Sequence, residues 1–348
     1  MDGTGDPRPA PTSAIVLDPT GEYGQLPNAV TYRLGNNAYL EAGRLTASQL
    51  QEVLGVHFSA TLSQRPDQAI NSLRVQRNLR HQPGTLTKIN RSVDDYQELL
   101  NQLSSWASDY AVSLLPQQLV EEAVVPLASS QADYSLLGQE YDYGWIRNHW
   151  GLITAFREHL TSGAFRQLFD TVDHPGRAKN ELGFVLTMFL NQRAQHRTLV
   201  IDLSLLKGFE QQQGAIISYL LKLILNDRLA NPASRLPVKI VLDEAHRYLP
   251  GDNQQLTHNG IFQVLREGRK VNLQLALTTQ SPLDLPERLR SQFGTMIIHR
   301  LLAPTELACL PTGLTFFAEV AALTTGHAYL VRPEQPACQV DVQAPRWW

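Results

Sequence analysis

Cysteine is nearly absent from this chain of 348 residues. Cys309 and Cys338 are the only two, and no metal-ligand spacing joins them, which fits a reducing compartment. A basic excess is missing too. Thirty Lys and Arg stand against 33 Asp and Glu, a formal net charge of −3. Contact with nucleic acid therefore has to come from a local patch or from a pore made on assembly. No apolar run is long enough to span a bilayer, because the greasiest stretch, residues 215–225, is short and contains Lys222. The first residues show no basic region followed by an apolar core, so no secretory signal is read. Internal repeats and low-complexity tracts are also lacking. A cytoplasmic enzyme or assembly subunit, away from membranes, is the expectation.

What is present is the composition of a soluble globular protein, 43% hydrophobic and 18% charged, long enough for one large or two smaller α/β domains. Ala14 to Leu17 reads as a buried strand ending at Asp18, with Pro19 to Tyr23 as the turn after it. From 46 to 195 the pattern is mostly helical, with breaks at Pro66, Pro83-Gly84, Pro116, Gly138, Gly163 and Pro175-Gly176. Between Arg65 and Arg91, in its first part, this block carries Arg65, Arg74, Arg77, Arg80, Lys88 and Arg91 against one acid, Asp67. Arg74, Arg77 and Arg80 are three apart and share a helix face, either a solvated face or a contact for DNA phosphates or a neighbouring subunit.

Strands and helices then alternate, which argues for a parallel, doubly wound sheet. Strands are expected at 198–203, 238–242, 272–278 and 295–300. A strong amphipathic helix is expected at 212–229, another helix at 257–267 and a short one at 305–310. A terminal strand pair is expected at 327–332 and 338–342.

Val238 to Leu242 is a short apolar run, broken only by Lys239, and is read as a strand buried on both faces. It ends in Asp243 and Glu244. At the C-terminal end of a parallel strand, two acids suit a nucleotide–metal site, one holding Mg²⁺ through water and the other polarising an attacking water. The competing reading is an acidic helix N-cap. Asp18 and Glu22 form a second acidic pair, open to a water or nucleotide role at the same crevice or to plain turn chemistry. His246 is read as packing or turn chemistry.

Four segments recur in order: Leu17-Asp-Pro-Thr-Gly-Glu-Tyr23; Asp243-Glu244; Leu265-Arg-Glu-Gly-Arg-Lys270; and Leu277-Thr-Thr-Gln-Ser-Pro-Leu-Asp-Leu-Pro286, continued by Leu289 to Thr295. Together they resemble the HerA branch of the HerA/FtsK translocase ATPases over about 13–45 and 197–342. The resemblance implies a RecA-like P-loop NTPase core with a mostly parallel sheet. Its parts would be an N-terminal remnant, 1–45, a helical insertion, 46–195, and a C-terminal core, 196–348. It implies ATP and Mg²⁺ as cofactors, Asp243 on the metal, Glu244 on the lytic water, Gln280 as a polar sensor, and Arg269 or Arg266 as a finger reaching a neighbouring subunit. Asp18 and Glu22 would lie near the nucleotide. The implied partners are double-stranded DNA, a hexameric ring of like subunits, and a nuclease of NurA type or a defence effector.

One part of that pattern is missing. No Gly-Lys-Ser or Gly-Lys-Thr occurs in the sequence, so the loop that cradles phosphates with backbone N–H groups and a lysine is not found. In the family that loop comes about two dozen residues before the Asp-Pro-Thr-Gly-Glu-Tyr segment, on the scale of one βαβ unit. Gly3-Thr-Gly5 is at most a remnant. The loop's strand normally lies inside the sheet, so its loss is expected to leave neighbouring edges unpaired. The favoured expectation is a translocase core that has lost its first strand and loop through truncation. The alternative is an inactive pseudo-ATPase kept as an assembly subunit. A superfamily 2 helicase, suggested by Asp243-Glu-Ala-His246, lacks its Ser-Ala-Thr and late arginine motifs.

Overall fold

A computed structural model describes residues 13–55, 64–103, 109–170, 180–192, 198–231, 236–310, 317–332 and 335–343. Gly3-Thr-Gly5 and the Pro175-Gly176 break lie outside these residues. In chain order the strands are β1 (Ser13–Asp18), β2 (Ala29–Arg33), β3 (Ala38–Glu41), β4 (Val124–Val125), β5 (Glu140–Tyr141), β6 (Phe169–Asp170), β7 (Asn180–Glu181), β8 (Thr198–Asp202), β9 (Val238–Leu242), β10 (Leu273–Leu277), β11 (Met296–Ile298), β12 (His327–Arg332) and β13 (Gln335–Asp341). The chain forms two compact units, Met1–Tyr32 with Leu186–Trp348, and Arg33–Val185.

The first unit holds a five-stranded sheet in the order β10-β9-β1-β8-β2. β1 runs parallel to both β8 and β9, and β10 runs parallel to β9. The register sets Leu17 and Leu277 each opposite Leu242, so β1, β9 and β10 end together. β1 and β8 are buried along most of their length, down to Asp18 and Asp202. β9 differs from the expected two-sided burial. Val238, Ile240 and Leu242 are buried, but Lys239 is exposed between them. β10 follows the same alternation, with Gln274 and Ala276 exposed. An apolar run alone does not report how many faces are covered.

β10 is also an edge, with β9 as its one strand neighbour among the described residues. Its sequence, Leu-Gln-Leu-Ala-Leu, has no proline or charge of the kind that guards an exposed edge. β11, β12 and β13 form a separate antiparallel sheet over a small core of Ile298, Leu307, Val320 and Leu323.

The helix Glu210–Ala230 is not amphipathic as expected. Residues Ile216 to Leu221 are all buried, so it is covered on most sides. The helix Gly260–Glu267 packs against it and on β10. Gly260 permits this approach, because a Cβ there would stand 2.1 Å from the Ser218 carbonyl oxygen. The single helix expected over 257–267 is broken at Asn259, whose side chain accepts from the Ile261 N–H and starts a new helix.

The second unit is mainly helical, with short strand pairs. β3 lies between β6 and β7, and β4 pairs with β5. Pro66 and Pro116 sit in first turns, where the missing N–H costs nothing, so they start helices rather than break them. Lys88 is not part of a basic surface. It is buried, 3.1 Å from Glu122, with its ammonium over the Tyr96 ring. The helix Arg65–Arg74 passes into a π-helical stretch, Val75–Leu79, so Arg74, Arg77 and Arg80 do not share one regular α-helical face. Arg74 lies over Tyr110, Arg77 pairs with Asp109 at 2.9 Å, and Arg80 is exposed. Among the described residues no helix is long and apolar enough to cross a membrane.

Candidate active site

The site stands where β1, β9 and β10 end. Asp243 follows β9 and is held from three sides. The Tyr23 hydroxyl donates to its Oδ2 at 2.8 Å, the Thr278 hydroxyl donates to Oδ1, and the Glu244 N–H donates to Oδ1 at 3.1 Å. Thr278 follows β10, and its N–H donates to the Leu242 carbonyl while its own carbonyl accepts from Ala245 N–H. The backbone thus ties the ends of β9 and β10 together behind the carboxylate. Burial, followed by the hydrogen bond to Asp243, raises the Tyr23 pKa above its usual value.

Glu244 occupies the left-handed region at φ +48°, rare for a residue with a side chain. The segment after it is a short 3₁₀ turn, Ala245–Tyr248, and the Glu244 side chain makes no capping bond to it. The acid pair is therefore not the helix cap that competed with the metal reading. The turned backbone sets the Glu244 carboxylate 3.5 Å from His246 Nδ1. The same nitrogen lies 3.2 Å from the Thr279 hydroxyl. His246 is thus part of the polar cluster, not mere packing.

Asp18 does something other than face an open crevice. It is fully buried, and its carboxylate knots the turn after β1. Oδ1 accepts from Gly21 N–H at 2.8 Å, Glu22 N–H at 3.2 Å and the Thr20 hydroxyl at 3.3 Å. Oδ2 accepts from Tyr23 N–H at 2.9 Å. Gly21, at φ +84°, is required twice over, since a Cβ there would also meet Ser204 at 2.9 Å. The buried Gln213 amide donates to the carbonyls of Pro19 and Leu203, fixing the turn from behind. Asp18 therefore acts through Tyr23, which it delivers to Asp243. Glu22, at the same turn, is exposed.

Gln280 is exposed just beyond β10, near Thr278. Arg269 lies at the opposite end of that strand, in the short turn Gly268–Val271 before it. A five-residue strand separates the two ends by about 17 Å, so Arg269 does not serve the Asp243 end of its own chain. Arg266 lies 5.7 Å from the centre of the Phe262 ring. Both arginines are exposed. Tyr23, Thr278 and His246 are the members that sequence reasoning missed. The Tyr in the Gly-Glu-Tyr turn and the Thr ending the β10 segment were visible signals.

A Mg²⁺ ion fits this donor set only in part. Among the described residues no group of three or more His, Cys, Asp or Glu side chains could hold a metal. Mg²⁺ keeps several waters and uses one or two carboxylates together with substrate phosphates. Asp243 can supply such a contact when Tyr23 or Thr278 yields its place.

No protein-family model matches the chain. Over 142 residues, 38% of its length, it is 33% identical to the DNA double-strand break repair helicase HerA of Sulfurisphaera tokodaii, of which the match covers 28%. Over 194 residues it is 24% identical to the HerA of Pyrococcus furiosus, covering 54% of this chain and 34% of that one. Over these stretches the chain is similar to HerA. It spans about a third of the length of these curated relatives. In structure, this chain is similar to VirB4 of Thermoanaerobacter pseudethanolicus, with a TM-score of 0.61 and 14% identity over 97% of this chain and 83% of that one. It is also similar to the bacterial conjugative coupling protein TrwBdeltaN70, with a TM-score of 0.51 and 13% identity over 95% and 78% of the two chains. The chain has the α/β fold of RecA-like P-loop ATPases.

Proposed function

We propose that this chain is the metal and water half of an ATP-driven DNA translocase core of HerA type. The observation that carries the reading is the placement of Asp243 and Glu244 at the shared end of β1, β9 and β10. Asp243 is braced by Tyr23 and Thr278, and Glu244 is turned out by its left-handed backbone. Phosphoryl transfer needs positioning and charge neutralisation more than covalent chemistry. Asp243 would hold Mg²⁺ through water, which when bound neutralises the phosphate oxygens. Glu244 would orient the attacking water and take its proton, with His246 steadying the carboxylate. Gln280 would sense the γ-phosphate. Arg269, far from its own Asp243, would act on a neighbouring subunit's nucleotide in a ring, with Arg266 as the less favoured candidate. Duplex DNA would be the track.

The phosphate half would come on a strand, loop and helix seated at the open β10 edge beside Thr278. A strand there would pair with an edge that has no guard, and its helix would cover the face that exposes Gln274 and Ala276. A second reading, a pseudo-ATPase used for assembly, is favoured by one observation. Both Asp243 oxygens are occupied by protein donors.

Hydrolysis of ATP in the presence of duplex DNA, by this chain with the phosphate-binding strand, loop and helix supplied, separates the two. The enzyme reading expects DNA-stimulated turnover that Glu244→Gln reduces by at least about a hundredfold, the scale of losing a positioned general base. Turnover untouched by Glu244→Gln would contradict it. No turnover, with assembly intact, would favour the pseudo-ATPase.

A further inference from the structure

The helix Tyr143–Thr161 in the second unit carries a surface that the nucleotide site does not use. Its buried side is made of Ile153, Phe156 and Leu160. On a flank about a quarter-turn from it, Tyr143 is 69% exposed and Trp150 is 49% exposed. These rings are seven residues apart, two helical turns, and so lie on one face about 10 Å from each other. Arg147 sits between them and Arg157 lies two turns beyond Trp150, both exposed. The helical neighbours of Arg147 three and four positions away are Tyr143, Gly144, Trp150 and Gly151. None is acidic, and no acid stands three or four positions from Arg157 either. Glu158 is the one exposed acid on the helix.

Gly151 adds an independent observation. It lies mid-helix on the exposed side, and a Cβ there would meet nothing within 4 Å. Glycine at such a place costs about 1 kcal/mol relative to alanine, and no packing among the described residues explains it. It leaves bare backbone beside Trp150, open to close approach. The exposed positions of the helix include no aliphatic side chain, so the apolar surface it offers is the two flat rings.

We propose that this face binds single-stranded nucleic acid, with bases stacked on Tyr143 and Trp150 and phosphates held by Arg147 and Arg157. Unpaired bases offer free ring faces, which paired and stacked bases in a duplex do not. The alternation of ring and guanidinium matches the alternation of base and phosphate along a strand. The inference is independent of the Asp243 site, and variants here leave that site untouched.

Fluorescence anisotropy of a labelled oligothymidylate with the full chain tests it, with a duplex of equal length beside it. Trp150→Ala is expected to weaken single-strand binding roughly tenfold, the scale of one lost stacked base. Trp150→Phe should keep most of the affinity, since a ring remains. The double variant Arg147→Ala/Arg157→Ala should lower the salt slope by about 1.4, two contacts at about 0.7 each for a single strand. Duplex affinity should not change in any of these variants. Single-strand affinity that is absent, or unmoved by Trp150→Ala, would overturn the proposal, as would equal losses on single strand and duplex. A sedimentation change on Trp150→Ala without any effect on oligonucleotide binding would assign the face to protein contact and overturn it too.

Discussion

At the scale of single residues, the site is a set of polar groups that hold one another in place. Tyr23 is the least obvious of them. It lies 220 positions from Asp243 in sequence, yet its hydroxyl occupies Oδ2. The phenol keeps its proton at pH values where an ordinary tyrosine has lost it. As pH rises past 10.0, the unfolded chain ionises this group first while the folded protein still holds the proton. Stability therefore falls with rising pH above that point. Thermal melts over alkaline pH should show a steeper decline for the wild-type chain than for Tyr23→Phe. Equal slopes would remove the coupling. Asp18 is the second such group. Asp18→Ala leaves the N–H groups of Gly21, Glu22 and Tyr23 without their acceptor and should cost about 2 kcal/mol in urea unfolding. Lys88 belongs to the other unit. Lys88→Met leaves the Glu122 carboxylate buried without its ammonium and should destabilise by about 3 kcal/mol. That loss should appear without any change at the Asp243 end of the sheet.

At the scale of elements, the acid-tipped strand could be read from the sequence, and its surroundings could not. β1, β8, β9 and β10 are short apolar runs bounded by turn residues, which the chain's local pattern specifies. The pattern says nothing of which faces of β9 and β10 are covered, because that depends on where distant helices land. The same limit explains the Glu210–Ala230 helix. Its polar residues suggested a wet face, but Gln213, Ser218 and Arg228 are buried and bonded within the unit. Gly260 is the element-level test. Gly260→Ala would drive a methyl into the Ser218 carbonyl and should cost about 2 kcal/mol by forcing the two helices apart. Denaturation of this variant checks it, and an unchanged midpoint would mean that the helices can slide without cost. The arginine series 74, 77 and 80 failed as a shared face because the helix widens into a π turn after Arg74, which no side-chain spacing announces.

At the scale of the whole molecule, the chain has an α/β core, similar in sequence to HerA over part of its length, whose sheet among the described residues stops at an unguarded edge next to its candidate site. The missing Gly-Lys-Ser/Thr was legible in the sequence. Where such a loop would seat was not, because strand order is a property of the folded sheet. The central claim is that Asp243 holds the metal of a bound nucleotide. Calorimetric titration of ATP with and without Mg²⁺ tests it most directly, with the phosphate half supplied, on the wild-type chain, Asp243→Ala and Glu244→Gln. The account predicts binding that needs Mg²⁺, survives Glu244→Gln and is lost in Asp243→Ala. Binding of equal strength without Mg²⁺, or undiminished in Asp243→Ala, would contradict it.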